Sequence, residues 1–273
     1  GSTILLGHPK KAYWVYDIFR KPYSYYCSAI NMLYMKLKIP KVYGFISISI
    51  ETAINCNLNC RYCMNEINKI GVISRPPFLS WDLFIKIIET APATVETIVF
   101  GGIGEPLLHP LIIDMINYAS SKNKRVCMYT NGTLLKGEML DRIAKSKLSV
   151  LNISIEPDAE SCKYYRNINY NEITDNINTL ISKTNNILVN FSLVMHKDYY
   201  SKISEFENKW RNIINNIKPI PLLEFQEHLI KPNKETIFEF YRGNLDINTS
   251  GNISPCCYDV FEDYVIGNVL NSD

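Results

Sequence analysis

Apolar and polar residues along the chain repeat in a way that predicts strands alternating with helices. The segment Ile46-Ser47-Ile48-Ser49-Ile50-Glu51 changes face at every residue, which is typical of a β-strand with one apolar face. We predict strands at Tyr43–Glu51, Val95–Gly101, Arg125–Thr130, Val150–Glu156, Ile187–His196 and Leu222–His228. We predict helices at Trp81–Thr90, Pro110–Lys122, Leu135–Lys145, Asn171–Lys183 and Lys202–Asn215, with N-caps at Ser80 and Asn171.

Regular alternation of this kind implies an α/β fold in which helices cover a parallel sheet. Six strand-helix units suit a partial (β/α)6 TIM-like barrel, because a complete eight-unit barrel needs about 250 residues by itself. We assign residues 43–228 to this barrel. Residues 3–42 form an N-terminal extension that we expect to pack across the barrel, with a position on a membrane surface as the alternative. Residues 229–273 form a small C-terminal segment with a hairpin around Ser250-Gly251.

The strand faces that point away from the helices are polar, which predicts a polar barrel lumen. Each unsatisfied buried polar group costs about 1–3 kcal/mol, so these side chains must meet water, one another, a cofactor or a polar substrate. We consider Glu224 and His228 candidates for contacting substrate or moving a proton, with a structural role for His228 as the alternative. The predicted lumen residues are Ser47, Ser49, Glu51, Asn152, Ser154, Glu156, Asn190, Ser192, Glu224, Gln226 and His228.

Composition narrows the class of protein. The 273 residues carry a net charge of +2, which gives no reason to expect a nucleic-acid partner. No run of 18 apolar residues is present, so we predict no transmembrane segment. No secretory signal is visible, and we expect a cytoplasmic protein. Three of the eight cysteines lie within eight residues, which favours a metal site in a reducing compartment over a set of disulfides.

Those three cysteines form a C-x3-C-x2-C pattern at Cys56, Cys60 and Cys63, directly after the first strand. This is the carboxyl end of the strand, where barrel enzymes hold their chemistry. Three cysteines can bind three irons of a cubane and leave the fourth iron open to a small molecule, whereas an electron-carrying cluster uses four. A zinc site is an alternative, although no fourth ligand lies close in sequence. Three unlinked core thiols are the other alternative.

With this spacing the chain resembles the radical SAM superfamily from about Phe45 onward. The turn Gly101-Gly102-Ile103-Gly104-Glu105-Pro106 resembles the family's GGEP element, whose glycines let the backbone approach the methionine part of S-adenosylmethionine. Further similarity lies at Thr130–Leu135, at Ser154-Ile155-Glu156 and at Tyr164–Arg166. The resemblance implies that Tyr62 packs near the adenine and that an arginine meets the cofactor carboxylate. The implied cofactor contacts are Tyr62, Gly101, Gly102, Glu105, Asn131, Ser154 and Arg166. For Asn131, Ser154 and Arg166 the alternatives are a turn residue, an interior hydroxyl and a solvated charge.

The resemblance also implies a reaction. A [4Fe-4S] cluster on Cys56, Cys60 and Cys63, reduced by a donor such as flavodoxin or ferredoxin, cleaves S-adenosylmethionine to a 5′-deoxyadenosyl radical that abstracts hydrogen from the substrate. We expect a small carbohydrate-like substrate that undergoes oxidation, elimination or epimerisation, because the predicted lumen is polar. A peptide-modifying maturase is the second hypothesis. A non-enzymatic Fe-S sensor or scaffold is the third.

The tail from Leu245 to Cys257 resembles the start of a SPASM or twitch domain, which binds auxiliary Fe-S clusters. Cys256 and Cys257 are possible ligands, and Cys162 is the other cysteine that we consider. Tyr241-Arg242-Gly243 stands where a further cysteine is expected, and no cysteine follows Cys257. We therefore expect residues 243–273 to form a small packing flap without a complete auxiliary cluster.

Overall fold

A computed structural model describes residues 47–63, 73–196, 200–221, 244–255, 257 and 259–271. Several sequence predictions lie outside these ranges. They are the extension at 3–42, the first four residues of the strand predicted to start at Tyr43, the strand Leu222–His228 with the candidates Glu224 and His228, and Cys256.

The described part of the chain contains a mixed α/β fold built on one sheet. The helices are α1 (Trp81–Thr90), α2 (Ile112–Ser121), α3 (Gly137–Lys145), α4 (Tyr170–Lys183) and α5 (Tyr200–Trp210). The strands are β1 (Ser47–Glu51), β2 (Thr97–Gly101), β3 (Arg125–Thr130), β4 (Val150–Ser154), β5 (Leu188–Met195), β6 (Asn216–Pro221), β7 (Asn244–Ile247), β8 (Asn252–Ser254) and β9 (Gly267–Asn268).

The strand order of this sheet is β6-β5-β4-β3-β2-β1-β7-β8-β9. The pairs from β6 through β7 are parallel, and β8 and β9 add antiparallel pairs at one end. The prediction of a parallel sheet covered by helices is confirmed, and so is the hairpin of β7 and β8. Within the described ranges, every helix is too short or too polar to span a lipid bilayer.

The helix starts follow from local capping. The Ser80 hydroxyl accepts a hydrogen bond from the backbone N–H of Leu83 at 3.3 Å, which confirms Ser80 as the N-cap of α1. The predicted cap of α4 is wrong by two residues. Asn169 is the N-cap, because its Oδ1 accepts from the backbone N–H groups of Asn171 and Glu172.

The structure contains a strand, β6, that the sequence did not predict. It occupies Asn216–Pro221, and α5 ends at Trp210 instead of Asn215. Pro219 and Pro221 have no backbone N–H to donate to a neighbouring strand, so the sequence of this segment disfavours a β-strand. It is accommodated because β6 lies at the edge of the described sheet.

Each strand divides its residues between an outer apolar face and the lumen. Ile48 and Ile50 of β1 pack into the main core with residues of α1, so Ser49 and Glu51 face the lumen. The same division puts Asn152 on the lumen face of β4. The predicted split on β1, β4 and β5 agrees with the burial of the apolar partners Leu151, Ile153, Val189, Phe191 and Leu193.

The tail extends the main sheet, which the sequence did not predict. Strand β7 pairs in parallel with β1, and Asp246 lies beside Ser49 in the register. The following residues return to α1, where the Lys86 ammonium donates to the carbonyl oxygen of Leu270 at 3.2 Å. The tail therefore packs on a helix, as a flap would, and also contributes one wall of the lumen.

Candidate active site

Cys56, Cys60 and Cys63 lie on the loop that follows β1, at the carboxyl end of the sheet. Cys60 is buried, and Cys56 and Cys63 are half-buried. Burial raises the pKa of the Cys56 thiol, and it raises that of Cys60 to about 11 against the opposing effect of the Arg166 guanidinium. The neighbouring cysteines shift both pKa values in the same direction as burial, so the three thiols lie within electrostatic reach of one another.

This donor set fits an iron-sulfur cluster. Thiolate sulfur is the ligand type that such clusters take, and a bound cation favours the thiolate that burial otherwise disfavours. Within the described ranges, no three His, Cys, Asp or Glu side chains are arranged closely enough to coordinate a single metal ion. The loop thus supplies three thiols close together without already forming a compact metal site.

Hydrogen bonds connect the cysteine loop to a π-helical segment, Cys162–Arg166, which follows β4. The backbone N–H of Arg61 donates to the carbonyl oxygen of Tyr165 at 2.9 Å, and its Nε donates to that of Tyr164 at 2.8 Å. The guanidinium also lies 4.0 Å above the Tyr164 ring. Between the loop and this segment lies an open cavity of about 980 Å³, lined by Cys56, Asn57, Leu58, Asn59, Arg61, Glu160, Lys163, Tyr164, Tyr165, Arg166 and Asn167.

A buried hydrogen-bonded network of Tyr62, Glu156 and Arg166 lies next to this cavity. Tyr62 donates its hydroxyl to Oε1 of Glu156 at 2.5 Å, and the Arg166 Nε donates to the same oxygen at 2.8 Å. Glu156 is 0% exposed and Arg166 5% exposed, so the solvated-charge alternative for Arg166 is wrong. Burial, with the Glu156 carboxylate beside it, raises the pKa of the Tyr62 phenol well above its usual value. The Arg166 charge is therefore already paired within the protein.

An aromatic stack that the sequence analysis did not predict adjoins this network. The His196 ring stacks on Tyr165 with centroids 3.9 Å apart and lies 5.1 Å from the Tyr62 ring. His196 directly follows β5 and is 8% exposed. The three rings bring together the ends of β1 and β5 and the π-helical segment.

The glycine-rich turn after β2 packs against the cysteine loop. A Cβ on Gly104 would lie 2.2 Å from the carbonyl oxygen of Ala53, so no side chain fits there. Gly102 has φ +107°, and a Cβ on it would lie 2.8 Å from Cγ of Glu51. Gly101 is different, because an added Cβ would meet only the Tyr129 ring at an ordinary 3.9 Å. The Glu51 side chain thus occupies the space that a side chain on Gly102 would need.

Glu105 and Asn131 link this turn to the turn after β3. The Glu105 carboxylate accepts from the Thr130 hydroxyl at 2.6 Å and from the backbone N–H groups of Leu107 and Asn131. Burial raises the pKa of Glu105, against these donors. The Asn131 amide in turn donates to Oδ1 of Asn57 at 2.9 Å and lies 3.6 Å from the Cys56 sulfur. Asn131 is thereby within reach of the cysteine loop, whereas Glu105 is engaged in holding the turns.

Ser154, at the end of β4, lies beside Ser192 of β5, which lies beside Lys218 of β6. Ser192 is 3% exposed, and its hydroxyl has no hydrogen-bond partner among the described residues. One level below, the Asn190 amide donates to Oδ1 of Asn152 at 3.1 Å. Some polar side chains of the lumen therefore hydrogen-bond to one another, whereas the Ser192 hydroxyl on the same face does not.

A second polar group at the lumen was missed from the sequence. The Arg75 guanidinium donates from Nε and Nη2 to the two carboxylate oxygens of Glu51, both at 2.9 Å, and its Nη1 lies 3.1 Å from Glu262. Asp246 lies on the neighbouring strand β7. Nothing in the local pattern near Arg75 indicates these partners, because Glu262 is 187 positions away.

Among the described residues, Cys162 and Cys257 do not form a second ligand set. Cys162 is fully buried in the apolar core, and its sulfur lies 3.7 Å from the Glu156 carbonyl oxygen. Burial raises the pKa of its thiol to about 12. Cys257 is exposed, so these two cysteines occupy different environments.

Comparison with known proteins assigns this arrangement to a family. The sequence profile of the radical SAM superfamily matches residues 50–209. The cofactor-modifying protein of the tungsten-containing aldehyde ferredoxin oxidoreductase of Pyrococcus furiosus is 26% identical over 186 residues, which are 63% of this chain and 51% of that protein. The chain thus spans about half the length of this curated relative.

Two solved structures share the fold. Native anSMEcpe with bound AdoMet superposes with a TM-score of 0.63 at 15% identity, over 83% of this chain and 78% of that one. Streptococcus suis SuiB bound to its precursor peptide SuiA superposes with a TM-score of 0.61 at 14% identity, over 88% of this chain and 66% of that one.

Proposed function

Because the chain belongs to the radical SAM superfamily, we propose that Cys56, Cys60 and Cys63 hold its [4Fe-4S] cluster and that it abstracts hydrogen from a polar substrate. The observation that carries the proposal is the cysteine loop itself. It presents three thiols at the carboxyl end of the sheet, beside a cavity of about 980 Å³. When bound, the cluster and S-adenosylmethionine supply a 5′-deoxyadenosyl radical.

The residues around the loop have separate tasks in this proposal. Asn131 orients the loop through Asn57, and Glu105 holds Asn131 in place. Arg166 lines the cofactor cavity and Tyr62 lies next to it, with Glu156 fixing both side chains. Gly101, Gly102 and Ser154 line the lumen side, where backbone groups and a hydroxyl can contact S-adenosylmethionine. Because Arg166 is already paired with Glu156, it contacts the cofactor carboxylate through its remaining N–H groups.

The lumen supports a small, hydrogen-bonding substrate as the first hypothesis. Its polar groups include the unpartnered Ser192 hydroxyl, and a carbohydrate-like molecule offers the donors and acceptors that such groups need. Oxidation, elimination and epimerisation are the reactions that we propose for it. The second hypothesis is peptide modification, because the SuiB structure named above is bound to a precursor peptide. A non-enzymatic sensor is not retained, since the chain belongs to a superfamily whose relatives are enzymes.

The proposal extends to partners and to the tail. Reduction of the cluster requires a one-electron donor, for which flavodoxin or ferredoxin is our choice, and a cytoplasmic location would supply either. The tail contains an antiparallel pair of β7 and β8, and we propose that this hairpin corresponds to the start of a SPASM or twitch domain. We propose that it holds no complete auxiliary cluster, because Cys257 is exposed and Cys162 is buried in the core.

Formation of 5′-deoxyadenosine tests the enzymatic proposal. The protein is reconstituted anaerobically with iron and sulfide, reduced with dithionite, and supplied with S-adenosylmethionine. We expect 5′-deoxyadenosine from the parent protein and none from Cys63→Ala, with Cys162→Ala as a matched control that retains activity. Equal product from the parent protein and Cys63→Ala would contradict the assignment of the triplet.

A further inference from the structure

The lumen face of β5 carries a buried serine hydroxyl. Phe191 and Leu193, on either side of Ser192, belong to the main core, so Ser192 points to the lumen. It is 3% exposed, and its hydroxyl has no hydrogen-bond partner among the described residues. A buried hydroxyl that lacks a partner destabilises the folded state, so a group of this kind is explained best by a ligand that completes it.

Two polar side chains flank Ser192 at the same level of the sheet. Ser154 of β4 and Lys218 of β6 are its neighbours in the register. Ile217 packs against the main core, so Lys218 beside it points to the opposite side, which is the lumen. Ser154 is the last residue of β4. This row of two hydroxyls and one ammonium therefore lies towards the carboxyl ends of the strands, where the cysteine loop also lies.

The Lys218 side chain extends across the lumen. Its ammonium lies 5.9 Å from the centre of the Tyr129 ring. Tyr129 belongs to β3, and β4 and β5 separate that strand from β6. Met128 packs in the main core, so the Tyr129 ring lies on the lumen side as well. The ammonium is therefore held in front of the polar faces of β4 and β5, on the side to which the Ser192 hydroxyl points.

This part of the lumen is positively charged, as far as its described strands supply the charge. The Glu51 carboxylate of β1 is paired with Arg75, and β2 and β3 separate β1 from β4. On β4, β5 and β6 the lumen-facing polar residues are amides, hydroxyls and one lysine. They are Asn152, Ser154, Asn190, Ser192, Asn216 and Lys218.

A carboxylate fits this set of groups. Its two oxygens only accept hydrogen bonds, and the lysine ammonium and the serine hydroxyl both donate them. A hydrogen bond between an ammonium and a carboxylate is about twice as strong as one between neutral groups. The single charge of Lys218 matches the single charge of a carboxylate, whereas a phosphate monoester carries about −1.5 to −2 at neutral pH.

We propose that Lys218 and Ser192 bind a carboxylate of the substrate. This inference rests on the proposed function and narrows its substrate to a polar molecule that bears a carboxylate. Ser154, the next residue in the row, is the hydroxyl assigned above to a contact with S-adenosylmethionine. The carboxylate is therefore held one strand away from the cofactor, and this position brings the rest of the substrate beside the cofactor for hydrogen abstraction.

Acetate is the probe for this site, because it is a carboxylate without any other polar group. Thermal unfolding of the anaerobically reconstituted protein is followed with S-adenosylmethionine but no reductant, in sodium acetate or sodium chloride at equal ionic strength. S-adenosylmethionine occupies the contacts of its own carboxylate, so acetate reports on a separate site. At about tenfold over its Kd, acetate should raise the folding equilibrium constant about 11-fold relative to chloride.

The variant Lys218→Met should lose this selective stabilisation, and Lys145→Met, at the exposed end of α3, should keep it. Ser192→Ala should weaken the acetate effect and leave the protein without acetate at least as stable as the parent, because it removes a buried hydroxyl that has no partner.

Three results would overturn the proposal. They are equal effects of the two salts on the parent protein, an acetate effect retained in Lys218→Met, and a loss of stability in Ser192→Ala without acetate, which would show that the hydroxyl has a partner within the protein. The measurement needs no turnover, so a failure here is distinguishable from a failure to form 5′-deoxyadenosine.

Discussion

The backbone N–H of Asn131 donates to the Glu105 carboxylate over 2.8 Å, which joins the turn after β2 to the turn after β3. The other carboxylate oxygen accepts from Thr130 and Leu107, so both oxygens of Glu105 are used inside the protein. Since the Asn131 side chain reaches Asn57 and Cys56, this contact also fixes the position of the cysteine loop.

Glu105→Gln should therefore destabilise the protein and weaken cofactor binding. A glutamine offers one acceptor oxygen where two are used, and its NH2 would face a buried donor. We expect a loss of about 1–3 kcal/mol in the free energy of unfolding, measured by denaturant titration. The control Glu138→Gln, at an exposed position in α3, should change it little. Equal stability of the two variants would contradict the role given to Glu105.

Gly104→Ala should disrupt the contact between the glycine-rich turn and the cysteine loop. The added Cβ would lie 2.2 Å from the Ala53 carbonyl oxygen, whereas in Gly101→Ala it would be 3.9 Å from the Tyr129 ring. We expect Gly104→Ala to lose at least about 1–3 kcal/mol of unfolding free energy, and Gly101→Ala to lose much less. The same denaturant titration, run on both variants, checks the difference. A larger loss of stability in Gly101→Ala than in Gly104→Ala would contradict the packing of the glycine-rich turn against Ala53.

The buried pair Glu156 and Arg166 should show strong coupling. Arg166→Ala leaves the Glu156 carboxylate buried without its partner, and we expect a loss of about 3–5 kcal/mol in the free energy of unfolding. The double variant Glu156→Ala/Arg166→Ala should recover part of this loss. A double-mutant cycle with Glu156→Ala measures the coupling energy, and additive effects of the two changes would contradict the pairing.

Asp246 should make stability depend on pH. Burial raises its pKa from 3.8 to about 7, so the folded protein binds this proton more tightly than the unfolded chain. The resulting stabilisation is complete below the unfolded pKa and is lost as the pH rises through about 7. Relative to Asp246→Asn, the unfolding free energy of the parent protein should fall with rising pH, by at most about 1.4 kcal/mol per pH unit. Denaturant titrations at several pH values measure this difference, and parallel profiles would contradict it.

The sequence predicted the elements whose signal is local. The alternation in β1 and the N-cap Ser80 follow from period and capping chemistry, and the triplet of cysteines follows from spacing. The strand β6 was not predicted because Pro219 and Pro221 oppose strand formation except at a sheet edge, and edge position is a property of the whole fold.

Contacts between distant segments could not be predicted in this way. The return of β7 to the side of β1 brings Asp246 beside Ser49, 197 positions away. The ion pairs of Arg75 with Glu51 and Glu262 depend on the same return. Periodicity gives the face on which a residue lies, whereas the neighbour across the sheet depends on strand order.

Iron content and electron paramagnetic resonance spectra show whether the cysteine triplet binds a cluster. The parent protein and Cys60→Ala are reconstituted anaerobically and reduced, and Cys127→Ala on β3 serves as a control outside the triplet. We expect about four irons per chain and a [4Fe-4S] signal that changes on adding S-adenosylmethionine, in the parent protein and in Cys127→Ala. We expect Cys60→Ala to lose both. Full iron content and an unchanged signal in Cys60→Ala would contradict a cluster on the triplet.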